Sequence, residues 1–317
     1  MPIYLTEADV SELLTPAEAY RAIEASFRRL ARGAVQNPER VRLELPGGVF
    51  ATMPAVDLEL GYAGLKTYAW TESGTPFLVV LVAIETTRIV ALVEADHLGR
   101  LRTAAASAVA ATWLARPSAA SLGVLGCGRQ AAAHVVALRD ALPSLDRVVA
   151  FCRDEERCTH FCRTYDCEPG RSHRDPGMCD IVVTATTSHE PVLRGEWLQP
   201  GALVCAIGAN EPTWRELDDG VFERASAVFC DSRVQAKLES GDLIEPANGG
   251  LLDWENVGEL QDLLAGTVPG RTSDEEIVVF KSNGLAAWDL AAAARVVELA
   301  GACGLVRFVN DTHEPTS

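Results

Sequence analysis

Lysine is nearly absent from this 317-residue chain. Of its 28 basic residues only Lys66, Lys237 and Lys281 are lysines, so each raises the question of what its ammonium does. Aromatic residues are few, at 6%. No apolar run is long enough to span a bilayer, which excludes a membrane-spanning helix. Basic charge is in deficit: the net charge of −16 argues against nucleic acid or an anionic membrane as partner, since neither gains from such a surface. The opening MPIYLTEADV lacks a basic region followed by an apolar core, so no secretory signal is read and a cytoplasmic location is expected. In that compartment nine cysteines need an account other than disulfides. Cys158 and Cys162 flank His160, with Cys152, Cys167 and Cys179 near, so a zinc site is conceivable. The spacing fits no standard finger, however, and small buried hydrophobes are the preferred reading; no metal is expected.

What is present is organised around Ser121–Ala133, SLGVLGCGRQAAA. An apolar run ends in Gly126-Cys127-Gly128, and Arg129, Gln130 and Ala131 open an alanine-rich stretch. Strand, tight glycine turn and helix start match the dinucleotide fingerprint G-x-G-x-x-A. Gly126 allows the turn, Gly128 admits a pyrophosphate close to the backbone, and Ala131 lets helix and strand pack. The phosphates would sit on free N–H groups at the helix N-terminus. Context supports this reading. Arg147–Phe151, Asp180–Thr187, Ala202–Ala209 and Ala225–Ser232 are continuous apolar runs bounded by turn residues, as buried parallel strands are, and helical stretches separate several of them. The expected fold is α/β: a doubly wound Rossmann sheet plus a second, discontinuous α+β domain.

Before the fingerprint, Thr15-Pro16-Ala17-Glu18 reads as a capping box with proline at the first helical position. Five strand-like pieces follow, Arg40–Leu45, Val49–Met53, Ala63–Trp70, Phe77–Ile84 and Ile89–Glu94, with turns at Pro46-Gly47-Gly48 and Ser73-Gly74. They suggest an antiparallel meander. Leu101–Ala115 reads as a helix, and Arg116-Pro117 as the boundary into the nucleotide domain. Ile277–Phe280 is a final strand, and a helix from Leu285 to Ala300 returns to the first domain. The expected domains are therefore 1–117 with 286–317, and 118–285. The tail after Asn310 is polar and expected to fray.

On the cofactor side, the strand after the fingerprint ends Phe151-Cys152-Arg153. An acid at that strand end selects NAD, whereas Arg153 suits a 2′-phosphate, so NADPH is expected; Asp154 and Glu155 keep NADH open. On the substrate side, Lys66 lies in an apolar strand-like run and must find a partner or a cleft. There it could bind a carboxylate or move a proton, or simply mark a sheet edge. Arg40, Arg42 and Arg102 are forks suited to carboxylate, though spacing alone also fits surface residues.

The stretches RVRLELPGGVFATMPA, AGLKTYAW, LRTAAASAVAATWLARP, LGVLGCGRQAAAH, VTATTS, AIGANEPTWRELDD, DSRVQAKLESGDL and VVFKSNGLAAWDLAAA run in one order over nearly the whole chain. They resemble the ornithine cyclodeaminase/μ-crystallin family. The resemblance implies a Rossmann domain plus a discontinuous substrate domain in a homodimer. On that template Arg40, Lys66 and Arg102 match residues that bind the substrate carboxylate and line the nicotinamide pocket. Gly126, Gly128, Arg129, Gln130 and Ala131 match the pyrophosphate loop, and Cys152, Arg153 and Asp154 the adenosine-ribose site. Thr184, Ile207, Gly208, Ser282 and Asn283 match positions around cofactor and substrate. The chain also departs from the cyclodeaminases. It has Asn210 where they carry an aspartate, Ala51 for a glutamate and Phe77 for a threonine, and an amide cannot act as a general base. Lys66, Arg40, Arg102 and Asn210 thus stand as the candidate catalytic set. The expected activity is NADPH-dependent reduction of a carboxylate-bearing cyclic imine. Amino-acid dehydrogenation, ornithine cyclodeamination and cofactor-dependent binding without turnover are the alternatives.

Overall fold

A computed structural model describes residues 1–71 and 74–305. Ser73, half of one expected turn, and the tail after Asn310 lie outside those residues. The chain divides into two compact units, Met1–Arg102 with Leu285–Ser317, and Thr103–Gly284. The first division falls inside a helix, Asp96–Leu114, ahead of Arg116-Pro117.

The first unit is built on seven strands: β1 (Ile3–Leu5), β2 (Val35–Gln36), β3 (Val41–Leu45), β4 (Gly48–Asp57), β5 (Tyr62–Thr71), β6 (Phe77–Ala83) and β7 (Arg88–Glu94). Their order is β1-β7-β6-β5-β4-β2, with β3 also on β4. From β4 to β7 the sheet is the antiparallel meander that the short spacing predicts; β1 adds in parallel. Inward positions alternate along β4, where Ala51, Met53 and Ala55 are buried, as a pleat with one covered face requires. In β5, Lys66 sits in the sheet's interior, opposite Met53 on one side and Val79 on the other.

Helix Pro16–Ala31 packs against β2 and against helix Ala286–Ala302, which itself packs on this sheet. Thr15 caps the first, its hydroxyl accepting from the Glu18 N–H at 3.2 Å. The reciprocal half of the expected capping box is not made there, because the Glu18 carboxylate is turned to Arg295 at 2.6 Å. A full capping box stands instead at Thr6 and Asp9, before the helix Glu7–Leu13. The helix expected from Leu101 starts earlier, at Asp96. Its first N–H groups, those of Asp96 and His97, donate to the Glu7 carboxylate at 2.5 and 2.9 Å, so the cap comes from a distant residue rather than from the helix's own sequence. That extra turn puts Arg102 inside the helix, not at its start.

The second unit holds eight strands: β8 (Ser121–Leu125), β9 (Arg147–Phe151), β10 (Glu168–Pro169), β11 (Ile181–Thr184), β12 (Leu203–Ala206), β13 (Ala225–Cys230), β14 (Val257–Glu259) and β15 (Ile277–Lys281). All pair in parallel in the order β10-β9-β8-β11-β12-β15-β13-β14. The strands β11, β12 and β15 are buried at every residue, as their largely apolar sequences require, and two of them end in a buried polar residue, Thr184 and Lys281. Strand order reverses between β8 and β11, the place where a doubly wound sheet opens a crevice at its carboxyl ends. The glycine turn follows β8, so the fingerprint stands at that crevice. Among the described residues no helix is long and apolar enough to cross a membrane.

Gly123 in β8 shows how close the packing is. A Cβ there would lie 1.9 Å from the Pro176 carbonyl oxygen, with the Pro176 Cα only 2.8 Å away. Backbone would have to shift. Gly123→Ala is expected to cost about 1–3 kcal/mol in urea unfolding; an unchanged midpoint would mean that the Pro176 segment yields freely.

Candidate active site

In the first unit the candidate site is a buried carboxylate between cations. Asp289, on the helix Ala286–Ala302, is fully buried. Arg102 grips it with both ends of its fork, Nε to Oδ1 at 2.9 Å and Nη2 to Oδ2 at 3.2 Å. Lys66 Nζ lies 3.3 Å from the same Oδ1. Lys66 and Arg102 are each only 5% exposed. Such a cluster is tolerable only when paired, since an isolated buried charge costs several kcal/mol. Ring faces complete the surroundings: Phe77 lies 5.0 Å from Lys66 Nζ and Trp288 lies 5.7 Å from the Arg102 guanidinium. Gly99 makes room, because a Cβ there would stand 3.1 Å from Lys66 Nζ. Arg40 donates from Nη1 to the Tyr68 hydroxyl at 3.2 Å.

Burial is the largest influence on Lys66 and pushes its ammonium down to about 8. Asp289 opposes that shift, while Arg102 and Arg40 add to it. The three sequence-derived cations therefore meet electrostatically, and Lys66 changes charge near neutral pH. Asp289, which holds two of them, was not among the sequence candidates. Its signal was a lone acid in the otherwise apolar WDLAAAA stretch.

In the second unit the fingerprint forms the turn that the pattern predicts. Gly126 has φ +111°, and a Cβ there would lie 2.5 Å from the Ala185 carbonyl oxygen, so both conformation and space demand glycine. Gly128 is the N-cap of the helix Arg129–Ala141, and Ala131 is fully buried beneath it. Above the turn is a cavity of about 540 Å³. Its wall includes Gly126, Gly128, Cys152, Arg153, Asp154 and Arg157. Asp154 is committed elsewhere: its carboxylate accepts from the Arg157 N–H at 3.0 Å and caps the helix Glu155–Tyr165. Arg157 was missed by the sequence reading, although it falls one helical turn beyond Arg153. Its Nε donates to the Cys127 carbonyl at 3.0 Å, which lays the guanidinium across the glycine turn. His173, also in the wall, is held below the ordinary imidazole range by burial and then by Arg153.

These features fit a dinucleotide phosphate chain: a helix N-terminus behind a tight glycine turn, with the guanidinium groups of Arg153 and Arg157 in the same wall. Gln130 Oε1 is buried without a hydrogen-bond partner among the described residues.

Other candidates prove to brace the crevice. Thr184 gives its hydroxyl to Glu216 at 2.7 Å and is fully buried; Thr186, two residues on, lines the cavity. Glu216 also accepts from the Thr186 N–H and hydroxyl, both at 2.7 Å, and from the Gly208 N–H at 2.6 Å. It thereby ties the loop after β11 to the loop after β12, where Ile207, Gly208 and Asn210 lie. Burial raises its carboxyl above the usual range. Ser282 donates to Asp231 at 3.0 Å, and the backbone N–H groups of Asn283 and Gly284 donate to the same oxygen at 2.8 and 2.6 Å. Lys281, fully buried, reaches the Ala209 carbonyl at 2.5 Å and Asp242 at 3.2 Å. The second scarce lysine is thus a strut of this unit.

Residues 2–302 match the ornithine cyclodeaminase/mu-crystallin family. The chain is 35% identical over 312 residues to alanine dehydrogenase of Archaeoglobus fulgidus, covering 93% of this chain and 94% of that protein. It is 30% identical over 316 residues to the ketimine reductase mu-crystallin of Mus musculus, covering 94% and 97%. The structure of Thermococcus litoralis Δ1-pyrroline-2-carboxylate reductase in complex with NADH and L-proline superposes with a TM-score of 0.91 at 26% identity, covering 97% of this chain and all of that one.

Removing the anion at the centre of the first cluster tests its weight. Asp289→Asn leaves Arg102 and Lys66 buried without their carboxylate and is expected to cost about 3–5 kcal/mol in urea unfolding. Loss of less than about 1 kcal/mol would mean that another group neutralises the pair.

Proposed function

The chain belongs to the ornithine cyclodeaminase/mu-crystallin family, and on that premise we propose that it is an NADPH-dependent reductase of small imines that carry a carboxylate beside the C=N bond. Cyclic ketimines of the pyrroline- and piperideine-2-carboxylate type are the preferred substrates. One observation carries this reading: a lysine titrating near neutral pH is held between Asp289, Arg102 and Arg40. A cationic cluster of this kind suits a carboxylate and can deliver a proton.

Arg40 and Arg102 hold the substrate carboxylate by charge-assisted hydrogen bonds, and this fixes the imine carbon in position. Asp289 keeps Arg102 aimed by occupying two of its donors. Bound NADPH supplies the hydride that reduces the imine carbon. Lys66, protonated, gives its proton to the imine nitrogen, so that one hydride and one proton convert C=N to CH–NH. A group near pH 8 can both give that proton and recover one from solvent. Gly126, Gly128 and the helix N-terminus receive the pyrophosphate, and Arg153 the 2′-phosphate. Asn210 offers hydrogen bonds but no base, which sets this chain apart from cyclodeaminase chemistry. A homodimer is supported by β3, where Val41, Leu43 and Leu45 lie on one face with exposures of 50%, 55% and 38%. A second copy of the chain would cover them.

The likeness to an alanine dehydrogenase favours a second reading, reversible amination of a 2-oxo acid with NADH. The two readings separate in one assay. NADPH oxidation with Δ1-piperideine-2-carboxylate is expected to outrun NADH oxidation with pyruvate and ammonia. Arg153→Ala should raise the KM for NADPH about 10- to 100-fold with little change for NADH. The reverse preference would replace the reductase with the dehydrogenase.

The pH dependence follows from Lys66. Its proton is present below pH about 8 and lost above it, so kcat/KM for imine reduction should fall as pH rises through that value. Lys66→Met should lower the rate roughly 10²- to 10⁴-fold and remove this limb. The same limb in the variant would assign the titration to the substrate instead.

A further inference from the structure

Three cysteines from separate segments meet at the glycine turn. Cys127 is the middle residue of Gly126-Cys127-Gly128. Cys152 follows β9, whose last residue pairs with the last residue of β8. Cys158 is buried on the helix Glu155–Tyr165, one turn beyond its capping residue Asp154. Parallel pairing and the helix return bring the three sulfurs within 4.8 Å of one another, and none is in a disulfide. Cys127 and Cys152 also face the cavity, whereas Cys158 closes the cluster from below.

We propose that Cys127, Cys152 and Cys158 form a binding site for a thiophilic divalent cation of the zinc and cadmium class, with its fourth coordination position open to the dinucleotide cavity. Soft thiolates select such ions over magnesium or calcium. Tetrahedral thiolate bonds of about 2.3 Å place sulfurs about 3.8 Å apart, a spacing that small side-chain rotations reach from the one observed. Three protein ligands with one open position is the arrangement of zinc that takes an exogenous ligand, not of closed structural zinc. Binding exchanges three S–H protons for one dication, with no change of oxidation state. The resulting single negative charge lies beside Arg157, whose Nε is already on the Cys127 carbonyl.

The site has a consequence that rests on the reading of this cavity as a dinucleotide site. A cation held by Cys127 fixes the turn that must receive the pyrophosphate and fills space beside it. Metal and NADPH should therefore exclude each other.

The test uses the full chain, stripped of metal and kept reduced with a phosphine. Titration with Cd²⁺ is expected to raise an ultraviolet thiolate-to-metal band that saturates at one ion per chain, and Zn²⁺ should displace the cadmium. Cys152→Ser, at a half-buried position, and Cys158→Ala should each lose the band, while Cys303→Ser at an exposed one keeps it. Absence of the band in the wild-type chain, or its survival in both cluster variants, overturns the site. So does formation of a disulfide in place of metal uptake. This readout needs neither cofactor nor substrate, so it stands or falls apart from the reductase reading. In a second arm, NADPH fluorescence titration with and without Zn²⁺ should show weaker binding in the wild-type chain and no change in Cys158→Ala. Equal NADPH affinity in wild type loaded with zinc overturns the exclusion.

Discussion

One carboxylate holding two cations out of water is the constraint on which the substrate-side chemistry depends. Asp289 cannot move without stranding Arg102 and Lys66, and neither cation can be buried without it. Ion pairs of this kind contribute little net stability, because desolvation offsets most of the attraction. Their value is positional. Arg102 is fixed by two hydrogen bonds, and Lys66 is held where burial lowers its proton affinity without discharging it completely. The apolar wall of Phe77 and Trp288 sharpens both effects by excluding water.

The second unit meets a comparable demand in another way. Its crevice lies between loops that are braced by buried carboxylates behind them. Glu216 gathers three N–H and O–H donors from one loop region and one from the next. Asp242 accepts from the backbone of Glu216 and Leu217 at 2.7 and 3.0 Å, and Lys281 neutralises Asp242 from inside the sheet. Asp231 does the same for the turn after β15. Each carboxylate is buried and accepts from backbone N–H groups, which makes these loops extensions of the sheet rather than free surface.

The parts legible in the sequence were those with local causes. The glycine turn declared itself because Gly126 meets a conformational and steric requirement that only glycine fits. The unbroken apolar strands and the meander followed from period and turn spacing. Lys66 stood out because a scarce charged residue sat in an apolar strand. The parts that escaped depend on distant partners. Nothing near Asp96 announces that Glu7 will cap its helix, and Glu18 read as a capping residue until Arg295 arrived to claim it. Asp289, Arg157 and Glu216 take their meaning from residues brought up by the fold. Thr184 ends β11, and its hydroxyl is turned to Glu216, a partner that no local pattern announces.

The place of β15 has a consequence for how the molecule is made. The last strand among the described residues is not an edge strand; it lies between β12 and β13 within the parallel sheet. The helix that carries Asp289 comes later still. A ribosome must therefore deliver the chain through Asp289 before either unit can close. Until then β12 and β13 present unpaired apolar edges to each other across a gap, and two buried cations await their anion. Such a nascent chain is exposed to aggregation for most of its synthesis. Loss of the segment from Ile277 to Ala302 would leave neither unit complete, because it carries both the central strand and the anion.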